Sequence, residues 1–556
     1  MRAVFVVVLA GFAGCSGASA PYAPAAADAH VSSDAVSLAD VPSVRDAAVP
    51  RDAGALPPSS CTTAAGGGRH TVATPVLRAA LHGMGDEGWL GSAAVEDLDH
   101  DGAREIVVAR GPRVIAYSAA GAMRWTATVT GSDRIWAAPV IGDFRGDGTL
   151  QVAAAAGDRV ALFTAMGAPA PGFPVVWRDE LRSFAGGDLD GDGHPDLVAV
   201  STVPLEGSPA RDVILAWHGT GQRLRGFPPN TTGASGCDDT CDVTGGFDQN
   251  VGVGDLDGDG AVDLLVPTDN AYMSWHHGDG RAFAANAIFH GAARTPAIRF
   301  FTDYAEAQQG YSDHESTSLQ AHFTNSAPAL ADLDGDGVRD LVVLSSLQNA
   351  SQTDRRRGVG LWALHADGSR LAAWVQPFTV PTYLAGLEDL GDNIVGATNQ
   401  PSVADIDASS PGPEIIFAGF DGRIHCIGAN RTERWSTPFT TAADTLTAGL
   451  AVADLSGDGV PEVVFATYGA HTGHSLVGLD ARGAEVFRVA LPGRGAMAVP
   501  TVADVDGDGA VEIVVSLKDP RDDGAEALVF AVDGSASNCL PWPTGRANRL
   551  RNGAPG

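Results

Sequence analysis

Short apolar runs separated by acidic, glycine-rich turns recur along most of the chain. Within the runs the apolar residues either alternate with polar ones or continue unbroken, the two patterns of strands buried on one face or on both. The stretch TVADVDGDGAVEIVV, residues 501–515, shows the unit: Asp504, Asp506, Asp508, Gly509 and Glu512 sit between two β-type segments. Copies are EDLDHDGAREIVVA at 96–109, GDLDGDGHPDLVAV at 187–200, GDLDGDGAVDLLVP at 254–267, ADLDGDGVRDLVVL at 331–344 and ADLSGDGVPEVVFA at 453–466. GDFRGDGTLQVAAA at 142–155 and ADIDASSPGPEIIFA at 404–418 are weaker copies. The first aspartates fall at 97, 143, 188, 255, 332, 405, 454 and 504, so the short intervals are 45 to 50 residues and three longer ones, of 67 to 77, require insertions.

Each period continues into a hairpin with a polar tip, as in RVIAYSAAGAMRW, DVILAWHGTGQRL and SLVGLDARGAEVF. That makes four strands per period with turn residues at the joints. Four-stranded units at this spacing predict an all-β chain folded as a β-propeller of eight blades, with seven as the fallback. A solenoid would stack the same units in a line; a link between the chain's two ends favours closure into a ring.

The acidic turns have their own chemistry. Carboxylates at loop positions 1, 3 and 5 converge on one point, a glycine at position 6 permits the sharp turn, and a carboxylate at position 9 returns from the next strand. Hard oxygen donors in this number suit Ca²⁺ better than Mg²⁺, which demands a stricter octahedron. An EF-hand would need a glutamate at position 12 and flanking helices; here position 12 is apolar, for example Val108 or Val515, and the flanks are strands.

Over residues 85–545 these loops and their spacing resemble the FG-GAP/VCBS repeat family, the integrin-α-type propellers. The resemblance implies a Ca²⁺ ion between the first two strands of a blade. Carried over, the ligands are Asp97, Asp99, Asp101 and Glu105; Asp188, Asp190, Asp192 and Asp196; Asp255, Asp257, Asp259 and Asp263; Asp332, Asp334, Asp336 and Asp340; Asp454, Ser456, Asp458 and Glu462; and Asp504, Asp506, Asp508 and Glu512. These six loops imply about six structural ions. The loop at 405 offers Asp405, Asp407 and Glu414 but is one residue longer, and the loop at 143 has Arg145 and Gln151 where acids belong. In that loop the guanidinium is expected to stand in for the ion.

The formal charge is −31. Such a chain lacks the basic patch that nucleic acid or an anionic membrane surface requires, so neither is an expected partner. Residues 1–15 read as an export signal: Arg2, the apolar VFVVVLAGFAG, then Phe12-Ala13-Gly14-Cys15, which resembles a bacterial lipobox with Cys15 as the lipid site. The implied location is the outer membrane or cell surface of a bacterium, with contact to the membrane only through the lipid; soluble secretion is the alternative. Residues 16–70, rich in Ala, Pro, Ser and Asp, read as a disordered tether, and 71–556 as the propeller. Cys237 and Cys241 are expected to close a small disulfide, Cys61 and Cys539 to staple the ends of the folded region, and Cys426 to be a buried thiol.

Two insertions are candidate binding elements, because blade insertions cluster at binding faces. One, 281–326, carries His290, His314 and His322 with Asp313 and Glu315, next to His276 and His277; the other, 382–400, carries Glu388, Asp389 and Asp392. Ordinary polar loops are the plainer reading of both. Trp125, Trp217, Trp275, Trp362 and Trp435 recur in the hairpin halves and are expected to pack blade on blade rather than stack on sugar. Lys518 is the only lysine and is given no role. No nucleophile elbow, zinc-protease, P-loop or dinucleotide signature occurs in a fitting context. The expected function is that of a monomeric, non-enzymatic binding or adhesion module for an extracellular protein or glycan. A carbohydrate-active enzyme such as a polysaccharide lyase and a structural envelope protein are the alternatives.

Overall fold

The computed structural model describes residues 61, 68, 71–203, 213–229, 244–247, 251–323, 326–384, 400–407 and 409–555. These belong to one compact unit, Arg51–Gly556. Cys15, Cys237, Cys241, Glu388, Asp389 and Asp392 lie outside the described residues. No helix among the described residues is long and apolar enough to cross a membrane.

The unit is an eight-bladed β-propeller. Blade 1 runs through strands Ala94–Glu96, Glu105–Arg110, Arg113–Ser118 and Met123–Thr128, each pairing antiparallel with the next. Blades 2, 6 and 7 repeat this four-stranded meander. Blades 3 and 4 have three named strands, and the fourth is reduced to isolated bridges, Trp217 with Arg223 and His276 with Ala282. The innermost strands of successive blades touch in a closed circle, with Ala94–Glu96 of blade 1 against Thr501–Ala503 of blade 8. The second and third strands of the blades are buried almost throughout, as their unbroken Val, Ile, Leu and Ala runs require.

Ring closure comes from the N-terminal side. Strand Val76–His82 pairs with Ala525–Val532 and is the outermost strand of blade 8, the other three being 501–503, 511–516 and 525–532. Cys61 and Cys539 are joined by a disulfide near the same junction, and Cys426 is buried as a free thiol.

The segment PWPTGRANRLRNG resembles the closing segment of such repeat proteins and is expected to complete the last blade or to pack beneath the ring; the blade is completed by Val76–His82 instead. The segment threads the middle of the ring. The carbonyls of Trp542, Pro543, Arg549, Leu550, Asn552 and Gly553 accept hydrogen bonds of 2.7–3.0 Å from Val452, Val502, Ile141, Gly186, Val253 and Leu330, all on or beside innermost strands. Fully buried Arg551 donates to the carbonyls of Pro139 and Ala93 at 3.2 and 2.8 Å, and Arg546 donates to those of Pro328 and Val251. Inner strands of a propeller have free backbone edges towards the axis. A polar tail is the element that can satisfy them where water is excluded.

The 281–326 insertion is a satellite core rather than an open loop. Phe283, Phe289, Ile298, Phe300, Phe301 and Phe323 pack with Trp275 of blade 4 and Trp362 of blade 5. Its strand Leu319–His322 pairs with the far half of Asp340–Asn349, extending blade 5 by a strand. Trp125 and Trp435 each bond across to the following blade, donating to Ala165 O at 2.8 Å and Ala481 O at 2.9 Å. These tryptophans pack blade on blade.

Candidate metal loops and the opposite face

All eight acidic loops join the first strand of a blade to the second, so they share one face of the ring. Their shape is set by two recurring bonds. The residue at position 9, or position 10 in the longer blade 6 loop, is at most 2% exposed in every blade and accepts a hydrogen bond of 2.7–3.1 Å from the backbone N–H at position 2. The aspartate at position 1 gathers N–H groups at the turn: Asp188 accepts from Gly191 at 2.8 Å and Gly193 at 2.9 Å, both glycines having positive φ.

Carboxylate oxygens of Asp97, Asp99 and Asp101, and of Asp188, Asp190 and Asp192, come within 4.8 Å of one another. Burial pushes the acids at position 9, or 10 in blade 6, up. Asp196 and Glu462 rise to about 8, Asp340 and Glu414 to about 7, and Glu105, Asp263 and Glu512 rise for the same first cause, with neighbouring aspartates adding to it. In the blade 1 loop, Asp99 Oδ1 is buried without a hydrogen-bond partner among the described residues. Convergent hard oxygens, a desolvated acid and an orphaned carboxylate oxygen fit a divalent cation of the Ca²⁺ type. Asp255, Asp257, Asp259 and Asp263, then Asp332, Asp334, Asp336 and Asp340, then Asp454, Ser456, Asp458 and Glu462, and Asp504, Asp506, Asp508 and Glu512 occupy the same positions in blades 4, 5, 7 and 8.

Sequence reasoning missed the cations that reach into these loops. Arg124 bonds Glu105 at 2.7 Å and Asp99 at 2.6 Å; Arg78 bonds Glu512 at 2.9 Å and Asp506 at 2.5 Å; Arg434 bonds Asp407 at 2.5 Å. All three arginines lie on the outermost strand of their blade. Where position 9 is the shorter aspartate, a histidine at the end of the third strand replaces them. His218, His277 and His365 approach Asp196, Asp263 and Asp340 to 3.1, 3.1 and 3.2 Å. The signal was present in the hairpin tips HGTG, HGDG and HADG, at one position of blades 3, 4 and 5.

The blade 2 loop departs from expectation. Arg145 does not stand in for an ion. Its side chain leaves the loop and donates to the carbonyls of Pro171 and Gly219 at 3.2 and 2.9 Å. Gln151 supplies the position-9 clamp instead, and Asp143 and Asp147 cap their own turn. In the longer blade 6 loop, Glu414 clamps the N–H groups of Ile406 and Asp407, and burial raises Asp405. The histidines of the 281–326 region go to separate partners: His276 to Ser274 and Gly280, His277 to the blade 4 loop, and His322 faces Asp269 at 3.9 Å. Glu315 is taken by Arg299.

The other face carries features that do not repeat. Residues entering the first strands of blades 1 to 3 meet those leaving the second strand of blade 8. The Lys518 ammonium lies 3.2 Å from the centre of the Trp89 ring, and Arg134 lies 4.8 Å from Trp89 and 5.3 Å from Trp136. Arg182 follows, 3.8 Å from Trp136 and 5.5 Å from Phe247. Glu87 ties Lys518 at 3.3 Å and Arg494 at 2.6 Å. Burial lowers Lys518 to about 8, against the pull of Glu87. Its solitary occurrence was the one sequence signal for this site.

Residues 188–266 match the FG-GAP-like repeat family. That repeat covers the acidic loops of blades 3 and 4. No curated protein matches the chain. Among solved structures, the chain resembles the Vibrio cholerae biofilm matrix protein Bap1, with a TM-score of 0.50 and 12% identity over 86% of this chain and 94% of that one. It also resembles the rhamnogalacturonan lyase PL11 of Bacillus licheniformis, at 0.48 and 16% over 88% and 81%. A quinohemoprotein alcohol dehydrogenase of Pseudomonas putida gives 0.45 and 12% over 83% and 76%. At these identities the likeness is one of fold.

Proposed function

We propose that this chain is a calcium-stabilised propeller, lipid-anchored through Cys15 at a bacterial surface, that binds an extracellular glycan or protein without transforming it. The carrying observation is the division of labour between the two faces. The acidic loops recur around the whole ring in one geometry, which is what scaffolding requires, whereas a recognition site is singular. The cation–aromatic cluster of Trp89, Trp136, Arg134, Arg182 and Lys518 occurs once, on the face away from those loops. Half-buried indoles flanked by cations suit the apolar faces and acidic groups of a sugar chain. In the acidic loops, Ca²⁺ would be held by the carboxylates at positions 1, 3, 5 and 9, and its chemistry there is charge neutralisation and crosslinking of two strands.

The second reading, a polysaccharide lyase, draws on Lys518, an amine lowered to about 8 beside Glu87 and so able to exist neutral near physiological pH. One experiment separates the two. The protein is incubated with a panel of neutral and acidic polysaccharides in millimolar Ca²⁺, and retention and new chain ends are read by mass spectrometry. Retention without new ends, lost on Trp136→Ala, is expected. New unsaturated ends would make the protein an enzyme, and absence of retention would remove glycan as the ligand class.

A further inference from the structure

The central channel opens on the acidic-loop face into a cavity of about 290 Å³ beside the C-terminal tail. Its walls include the apolar Ala93, Val95, Val502 and Leu550, and its charged lining is four arginines, Arg104, Arg339, Arg549 and Arg551, against one carboxylate, Glu96. Arg104 and Arg339 occupy position 8 of their loops. The other regular loops have Leu150, Pro195, Val262, Pro461 and Val511 there, and Pro413 precedes the position-10 acid of the longer blade 6 loop. Of the position-8 residues, Arg104 and Arg339 border this cavity, whereas Leu150 and Val511 are packed in the cores between blades. Arginine stands at position 8 only in blades 1 and 5, four blades apart in a ring of eight and therefore on opposite sides of the opening.

These guanidiniums are not equally engaged. Arg549 pairs with Glu96 at 3.0 Å, and Arg104 donates to the carbonyl of Asp504 at 2.6 Å. Arg339 makes no hydrogen bond or ion pair with any described residue, although it is largely withdrawn from water. Gly254 makes room for it: a Cβ there would stand 3.0 Å from Arg339 Nη1. A second channel cavity, of about 230 Å³ and also bordered by the tail, is lined by Asp405 and contains no cation. The arginines thus line one of the two tail-bordered cavities and not the other, in a molecule of formal charge −31.

We propose that the cavity between Arg104 and Arg339 binds a small ligand through a carboxylate, with the ligand's body against the apolar wall. A guanidinium fork matches a carboxylate in a bidentate geometry. The surrounding ring of acidic loops disfavours a dianion such as phosphate, and the apolar wall favours a monoanion with a carbon body. This site is independent of the opposite-face cluster, so either can fail without the other.

The test is titration calorimetry of the full chain in Ca²⁺ buffer with hexanoate, glucuronate, glucose and inorganic phosphate. One saturable site for hexanoate or glucuronate is expected, with no response to glucose. Arg339→Gln and Arg104→Gln should each weaken it about tenfold or more. Arg339→Gln should melt within about 2 °C of the parent without ligand, because the arginine has no hydrogen bond or ion pair to lose, only a longer-range attraction to Asp255. No saturable binding of either acid, binding unchanged in both variants, or binding of phosphate alone would overturn the proposal.

Discussion

Chelating calcium from the protein lowers its melting temperature by an amount the loops allow one to work out. Six loops carry the full donor set, those beginning at Asp97, Asp188, Asp255, Asp332, Asp454 and Asp504. With a dissociation constant of about 0.5 mM, inside the range for extracellular calcium modules, ~5 mM Ca²⁺ stabilises each loop by about 1.4 kcal/mol. Six independent loops then give ~8 kcal/mol. An unfolding entropy of about 2.1 cal/mol/K per residue over roughly 480 folded residues is ~1 kcal/mol/K, so the expected shift is about 8 °C. The assay is calorimetric melting in 5 mM Ca²⁺ against excess EGTA at fixed ionic strength, with Mg²⁺ as the competing ion. Two variants sharpen it. Asp192→Asn removes a donor from a full loop and should shrink the calcium-dependent shift by about one sixth, in line with ~1.4 kcal/mol. Asp147→Asn, in the loop whose position 9 is Gln151, should leave that shift unchanged. Equal melting temperatures with and without calcium would refute the reasoning, and so would equal effects of the two variants.

Removing residues 540–556 orphans inner-strand N–H groups around the ring, at about 1–3 kcal/mol each; the truncated chain is expected in the insoluble fraction, and soluble material with native near-UV circular dichroism would contradict the tail's role at the axis. Cys539→Ser releases a loop spanning a sequence separation of 478 residues and should cost about 2–4 kcal/mol, read as an earlier denaturant midpoint. Lys518 titrates near 8 in the fold and near 10.5 unfolded. Between those values the unfolded chain holds the extra proton, so stability should rise with pH by up to ~3 kcal/mol relative to Lys518→Met, and a flat difference across pH 8–10.5 would remove the buried-amine argument.

The blades were legible because their information is local and repeated. Each acidic loop announces its own turn, and the flanking Val, Ile and Leu runs announce buried strands. What escaped was written in residues whose partners are distant. VLRAALH gives no clean alternation, because as the outermost strand of blade 8 most of its residues are exposed or half-exposed. Its Arg78 reaches Asp506 and Glu512, more than 400 residues away. The tail PWPTGRANRLRNG reads as a segment that completes the last blade or packs beneath the ring, yet its polar groups are what the inner strands need at the axis. In the insertion at 281–326 the histidines stand out in the sequence, but its phenylalanines build the satellite core. Arg145 shows the limit of position-by-position substitution: it sits at a ligand position, but a long side chain can leave the loop for carbonyls elsewhere.

The most direct test of the calcium scaffold is the number of ions the protein holds. After equilibrium dialysis of the folded chain against 5 mM Ca²⁺, metal analysis should find about six Ca²⁺ per chain, one for each full loop. A count of zero or one would contradict the account, because the repeated carboxylates would then be solvated turns held by their own arginines and histidines.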